Sequence, residues 1–270
     1  MGRVGRSWEL MKKSFGVIRQ DKKILLFPIL SITACVILVI SFFVGFFFLG
    51  FLSLSTQPWV WVTSVFLIYT ILFFIVIFFN TAVTGCASIR LNGGKPTLSD
   101  GFRIAIQNVG RIFLWTIFSA TIGVILQGIR EKTGLLGKIV AGIVGIAWSY
   151  VTFFIIPVLI FEKKGVLPSI RRSAQLFKET WGETIVGTLG FGIIFSLIAV
   201  AGIIPIIFGV FMGFYGIIIG LVIAFIYWII IAAVSLATNA VYVTALYQYA
   251  TKKELPLGFD ASLMPQPNGK

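Results

Sequence analysis

The chain has 270 residues and a net charge of +13, with 58% hydrophobic residues and only 11% charged ones. An ordinary soluble domain carries roughly 25% charged residues, so this chain lacks the polar groups to cover its own surface in water. The positive balance would also suit nucleic-acid binding, but the basic residues are dispersed among segments that flank apolar runs, which argues against that partner.

The first 23 residues carry seven Lys and Arg. Helical spacing puts Trp8, Met11, Phe15 and Ile18 on one face and Lys12, Lys13 and Arg19 on the other, which predicts an amphipathic segment in the membrane interface. From Ile24 to Ile89 there are 66 residues without Asp, Glu, Lys or Arg. A crossing takes about 20 apolar residues, so this run predicts two helices, near 24–51 and 59–89, with the turn at Ser53-Leu54-Ser55-Thr56-Gln57-Pro58. Backbone groups in lipid must be paired within the segment, and the alternating pattern of a β-barrel is absent, so the spans are helices. The first run is too long for the apolar part of a leader and lacks a small-x-small site, so it reads as an uncleaved helix. Cys35 and Cys86 fall in predicted spans and read as small apolar side chains with no disulfide.

Thr97-Leu98-Ser99-Asp100 has capping-box spacing and predicts a helix start. The charge-free runs 112–129 and 139–161 each allow one crossing. Pro168 suits the first turn of the next helix, whose expected apolar face holds Ile170, Ala174, Phe177 and Trp181. The 68 charge-free residues from Thr184 to Thr251 hold two more spans, at about 184–208 and 217–250, with the break near 209–216. Residues 253–270, with Pro256, Pro265 and Pro267, are expected to be a disordered tail.

These elements predict an all-α bundle of six transmembrane helices in a single domain over residues 1–252. Nineteen Lys and Arg lie in the N-terminal tail, the second and fourth loops and the C-terminal tail, against Arg130, Lys132 and Lys138 on the other side. By the positive-inside rule both termini are cytoplasmic, at the cell membrane. Trp59 and Trp61 suit the outer interfacial belt, Trp8 and Trp181 the inner one, and Gln127 lies close to the outer interface.

Arg6-Ser7-Trp8-Glu9-Leu10-Met11-Lys12-Lys13-Ser14-Phe15 aligns without gaps on Arg172-Ser173-Ala174-Gln175-Leu176-Phe177-Lys178-Glu179-Thr180-Trp181, with four identities. Gly101-Phe102-Arg103-Ile104-Ala105-Ile106-Gln107-Asn108-Val109-Gly110 is a weaker third copy at the equivalent place before a span. The chain then reads as three units of amphipathic segment plus helical hairpin, at about 1–90, 97–162 and 168–252.

Pro157-Val158-Leu159, Glu162, Gly165, Arg171-Arg172-Ser173 and Leu176 together resemble the linking signature of the membrane domain found with some glycerophosphodiester phosphodiesterases. Arg6-Ser7-Trp8-Glu9-Leu10-Met11 and Asp21-Lys22-Lys23-Ile24-Leu25-Leu26-Phe27-Pro28 are similar to a stand-alone prokaryotic family of uncharacterised multi-pass membrane proteins. The resemblance implies a fold and little chemistry, because the hydrolase barrel of those enzymes has no counterpart here.

With no His in the chain, the Ser-His-Asp, Cys-His and His-based metal constellations are excluded. Gly94-Lys95 is followed by Pro96, and Ile89 stands where a phosphate-binding loop needs its first Gly. All nine carboxylates lie outside the predicted spans, so no buried cation site or proton relay is expected. No catalytic, cofactor-binding or metal-binding residue is therefore assigned, and the chain reads as a non-enzyme. Asn80, Thr152 and Asn239 occupy similar depths in the second, fourth and sixth spans. They read either as hydrogen bonds between helices or as a polar ring around a solute path. Gly209, Gly213, Gly216 and Gly220, with Ala141, Gly142 and Gly145, read as close packing within the bundle or as a homodimer seam. Arg6, Lys12, Lys13, Arg171 and Arg172 form the concentrated cationic surface, a determinant of topology or a contact for anionic lipid head groups or an acidic partner. The functional expectation is a scaffold or lipid-associated assembly factor, with membrane lipids and either a membrane-protein partner or a second copy as its contacts, and the alternative is a transporter or channel for a small or lipidic solute.

Overall fold

The computed structural model describes residues 3–51, 58–132, 134–252 and 254–260. Among them every regular element is helical: α1 (Arg3–Gln20), α2 (Leu26–Phe51), α3 (Pro58–Leu91), α4 (Leu98–Gln107), α5 (Val109–Lys132), α6 (Gly134–Val151), α7 (Ile155–Phe161), α8 (Val166–Val200), α9 (Ile204–Phe211) and α10 (Gly213–Lys252). Six helical stretches are long and apolar enough to cross a membrane: Lys22–Phe48, Trp59–Leu91, Val109–Glu131, Gly137–Phe161, Gly190–Phe211 and Gly213–Lys252. Their number matches the six spans expected from the four charge-free runs of the sequence. The expected turn at 53–57 lies outside the described residues, and Pro58 opens α3 at its first position, where a missing N–H is harmless. Large side chains such as Phe43, Phe47, Trp59, Val62, Phe211 and Tyr215 stand uncovered on these helices, as lipid-facing groups do. Six apolar helices with bare outer faces fit a multi-pass membrane protein.

The chain forms two compact units whose boundaries fall inside helices. The first comprises Met1–Ile29, Val83–Gly101 and Lys178–Lys270. Here α1 packs on α10. The C-terminal turns of α10 are tied to the end of α3, where Gln248 Nε2 donates to Ser88 Oγ at 2.9 Å and Lys252 Nζ to Asn92 Oδ1 at 3.4 Å. That end of α3 closes as a Schellman motif. Gly93, at φ +85°, donates to the carbonyl of Arg90, and Gly94 donates to that of Ile89. The expected capping box opens α4: Asp100 N–H donates to Thr97 Oγ1 at 3.2 Å, and Thr97 N–H donates back to Asp100 Oδ2 at 3.0 Å. One turn in, Gly101 lies so close to Phe27 and the Cys86 sulfur that a Cβ there would stand 2.3 Å from the Phe27 ring.

α9 and α10 form the tightest helical pair of this unit. Met212 ends α9 and Gly213, at φ +77°, begins the return. A Cβ at Gly209 would meet the carbonyl oxygen of Gly216 at 2.3 Å, and one at Gly220 that of Pro205 at 2.4 Å. The glycines at 209, 216 and 220 thus bring two backbones of one chain together, and Gly213 makes the turn. Gly142 and Gly145, by contrast, meet nothing on α6.

The second unit comprises Leu30–Ala82 and Phe102–Phe177. Its core is Ile77, Ile112, Trp115, Ile155 and Leu159, with Trp148 stacked on Trp115 at 5.9 Å. The span Gly137–Phe161 is broken at residues 152–154, between α6 and α7. Pro157 explains the break, because its ring displaces the carbonyl one turn earlier and it has no N–H to offer. The freed amide of Phe154 donates instead to the hydroxyl of Ser173 on α8, at 3.0 Å.

The fifth span has the corresponding device in the first unit. Before Pro205 the helix tightens to a 3-10 turn at Ala201–Ile203. Tyr227 Oη donates to the carbonyl of Ile198 at 2.6 Å, and Trp228 Nε1 donates to that of Ala199 at 3.0 Å. An apolar solvent offers the backbone no partners, so neighbouring side chains supply them.

The interfacial segments depart from expectation in their buried faces. On α1 Met11 and Ile18 are buried, but Trp8 is 50% and Phe15 43% exposed, and the covered face adds Leu10, Ser14 and Val17. On α8 the buried stripe is Ser169, Ser173, Leu176 and Thr180 rather than Ile170, Ala174 and Phe177; the Trp181 side chain lies outside the described residues. Small residues allow close helix approach, which leaves the large aromatics outside. Nor is the last segment separate from its span. α8 runs unbroken from Val166 to Val200 through Gly182, because a single glycine costs a helix only about 1 kcal/mol.

Candidate functional site

The concentrated basic residues divide between the two units. In the second, Arg171 is exposed, while Arg172 is engaged, its Nε donating to Glu162 Oε1 at 3.0 Å. Lys164 pairs with the other oxygen of Glu162. Partial burial pushes the Glu162 carboxyl up, but hydrogen bonds and charge from Lys164 and Arg172 outweigh it and hold the group below its ordinary range. Arg172 is thereby fixed as an anchor for the turn that joins α7 to α8.

In the first unit a groove of about 560 Å³ runs along the second half of α1. Lys12, Lys13 and Arg19 line it from α1, Arg90 from the end of α3, and Leu257 and Gly258 from the chain after α10. Glu9 is the carboxylate on its wall. Lys12 is exposed; Lys13 is half-buried and its Nζ pairs with Asp260 at 2.9 Å. The Arg6 side chain lies outside the described residues.

Arg90 is held from two sides, Nη2 donating to Gln20 Oε1 at 2.7 Å and Nη1 to the Gly94 carbonyl at 3.3 Å. Its Nε is buried and has no acceptor among the described residues. Most buried donors are paired, so this Nε–H stands out as an unsatisfied donor. Arg90, Gln20 and the segment after α10 escaped sequence reasoning as parts of a site. The available signal was an arginine directly after 66 charge-free residues.

The expected disordered tail is, for 254–260, a turn laid against this groove. Leu257 N–H donates to the Leu91 carbonyl at 3.1 Å, Phe259 N–H to that of Pro256, and Phe259 is buried. Residues 261–270 lie outside the described residues.

Of the three intramembrane polar positions, Asn80 and Thr152 belong to the second unit and Asn239 to the first. Thr152 donates its hydroxyl to the Trp148 carbonyl in its own helix at 2.8 Å, and no hydrogen bond joins it to the half-buried Asn80. Asn239 is exposed on α10. Among the described residues no cluster of His, Cys, Asp and Glu has the makings of a metal site. What the groove offers is a guanidinium and three further cations around an opening, suited to an anionic oxygen group.

Comparison with curated proteins and with solved structures finds no match. A family match covers residues 59–256, from the second span through the sixth and into the turn beyond it. The chain belongs to that family, described as Family of unknown function (DUF6159).

Proposed function

We propose that this chain is a non-catalytic multi-pass protein of the cell membrane, with cytoplasmic termini, that handles or organises anionic lipid through the basic groove along α1. The observation that carries the reading is the groove itself, where Arg90, held by Gln20 and Gly94, stands beside Lys12, Lys13 and Arg19. A lipid phosphate seated there would neutralise these cations. The same charges are those that the positive-inside rule places toward the anionic cytoplasmic leaflet.

The repeat reading belongs with this proposal. Leu10, Ala105 and Leu176 occupy one column of the alignment, and all three are fully buried. The likeness of the 157–176 stretch to the linking signature of phosphodiesterase membrane domains supports the same arrangement of units. Arg171, next to the repeat-related Arg172, would then be the cation left exposed for a second, weaker lipid contact. A partner membrane protein or a second copy of the chain would dock on the bare outer faces of the spans.

The test is native mass spectrometry of the protein in mild detergent with phosphatidylglycerol, comparing wild type with Lys12→Ala/Lys13→Ala. Each basic group near an anionic surface contributes about 1 kcal/mol, so the double variant should retain this lipid about 30-fold less well. Unchanged retention would overturn the reading. Rapid solute flux through the protein reconstituted alone would replace it with the transporter alternative.

A further inference from the structure

A second groove, in the other unit, lies between the start of α3 and the end of α5 and encloses about 670 Å³. On α3 its wall is the stripe Trp61, Val65, Tyr69, at helical spacing, and on α5 the stripe Gly123, Gln127, Glu131. Each stripe covers eight steps along its helix, so the groove is about 12 Å long at a rise of 1.5 Å per residue. Gly123 and Tyr69 close one end: a Cβ on Gly123 would stand 3.3 Å from the Tyr69 hydroxyl. Val62, Phe66 and Val124 make the rest apolar. The opposite end holds Trp61 and Glu131. Glu131 is exposed, and Gln127 Nε2 donates to its Oε1 at 2.6 Å, which fixes the carboxylate at the mouth.

The volume falls within the roughly 300–1,000 Å³ typical of ligand sites. Its chemistry is lopsided: an apolar trough about 12 Å long with one negative charge and one tryptophan at its end. A phosphate head would be repelled by Glu131, whereas a protonated amine would be attracted by both the carboxylate and the face of an aromatic ring. Arg130, next in the chain and exposed, is available to a phosphate on the same head. We infer that this groove binds one chain of a membrane lipid whose head group carries a protonated amine, with the amine on Glu131.

The experiment uses the full chain in mild detergent, offered equal amounts of phosphatidylethanolamine and phosphatidylglycerol with identical acyl chains, and reads the lipids retained by native mass spectrometry. Because the α1 groove is proposed to hold phosphatidylglycerol, the comparison is made in the Lys12→Ala/Lys13→Ala background as well as in wild type. In that background the amine lipid should exceed the anionic one at least fivefold, and Glu131→Gln should bring the ratio close to one. A ratio near one before the Glu131 change, or one that Glu131→Gln leaves unaltered, overturns the inference. A phosphatidylethanolamine with a photoreactive acyl chain gives an independent reading that needs no variant. Its cross-links should map to Val65, Val124 or their neighbours in the groove, and mapping to other helices alone would overturn the assignment even if the variants failed to fold.

Discussion

The amide of Phe154 and the hydroxyl of Ser173 are 3.0 Å apart, and this bond joins a break in the fourth span to the helix that follows it. Phe154 is fully buried, so without Ser173 its N–H would have neither helix nor solvent to pair with. Ser173→Ala should therefore destabilise the protein by about 1–3 kcal/mol, the usual penalty for a buried donor left unpaired. Unfolding in mixed detergent micelles measures this, and Ser173→Thr, which keeps the hydroxyl, should recover part of the loss.

Gly101→Ala places a methyl group 2.3 Å from the Phe27 ring, which is itself fully buried. Overpacking of this kind typically costs about 1–3 kcal/mol. Combining it with Phe27→Leu should be less harmful than the sum of the two single changes, and a double-mutant cycle on the unfolding free energies would show that coupling.

The glycines of α9 and α10 should be far less replaceable than those of α6. Gly209→Ala and Gly220→Ala drive a Cβ into the backbone of the facing helix and should lower the thermal midpoint. Gly142→Ala and Gly145→Ala meet nothing and should be neutral or stabilising by up to about 1 kcal/mol. Equal effects at the four positions would contradict the intramolecular packing.

Glu162 makes stability depend on pH. Its carboxyl lies below its unfolded value because Lys164 and Arg172 favour the charged form more than burial opposes it. The stabilisation is thus fully present above the unfolded value of about 4.3 and is lost as pH falls through the lower folded value. Thermal midpoints should drop on acidification below about pH 4. Glu162→Gln should lower the midpoint at neutral pH and flatten that part of the profile.

Six spans and their helical nature were legible from the sequence because they follow from local quantities. The lengths of charge-free runs, the capping box at Thr97 and Asp100, and the glycine turn near 213 each depend on residues close in the chain. Which apolar residues of α1 or α8 are covered was not legible, since at a membrane interface an aromatic can stay outside at little cost and hydrophobicity alone does not say which side chains face inward. Tertiary structure alone decided that small residues such as Ser169 and Ser173 face inward. It also decided that Tyr227 and Trp228 serve carbonyls one helix away, and that Arg90 meets Gln20 across 70 residues of chain. The groove along α1 exists for the same reason: its lining comes from three separate stretches, and only packing brings them to one place.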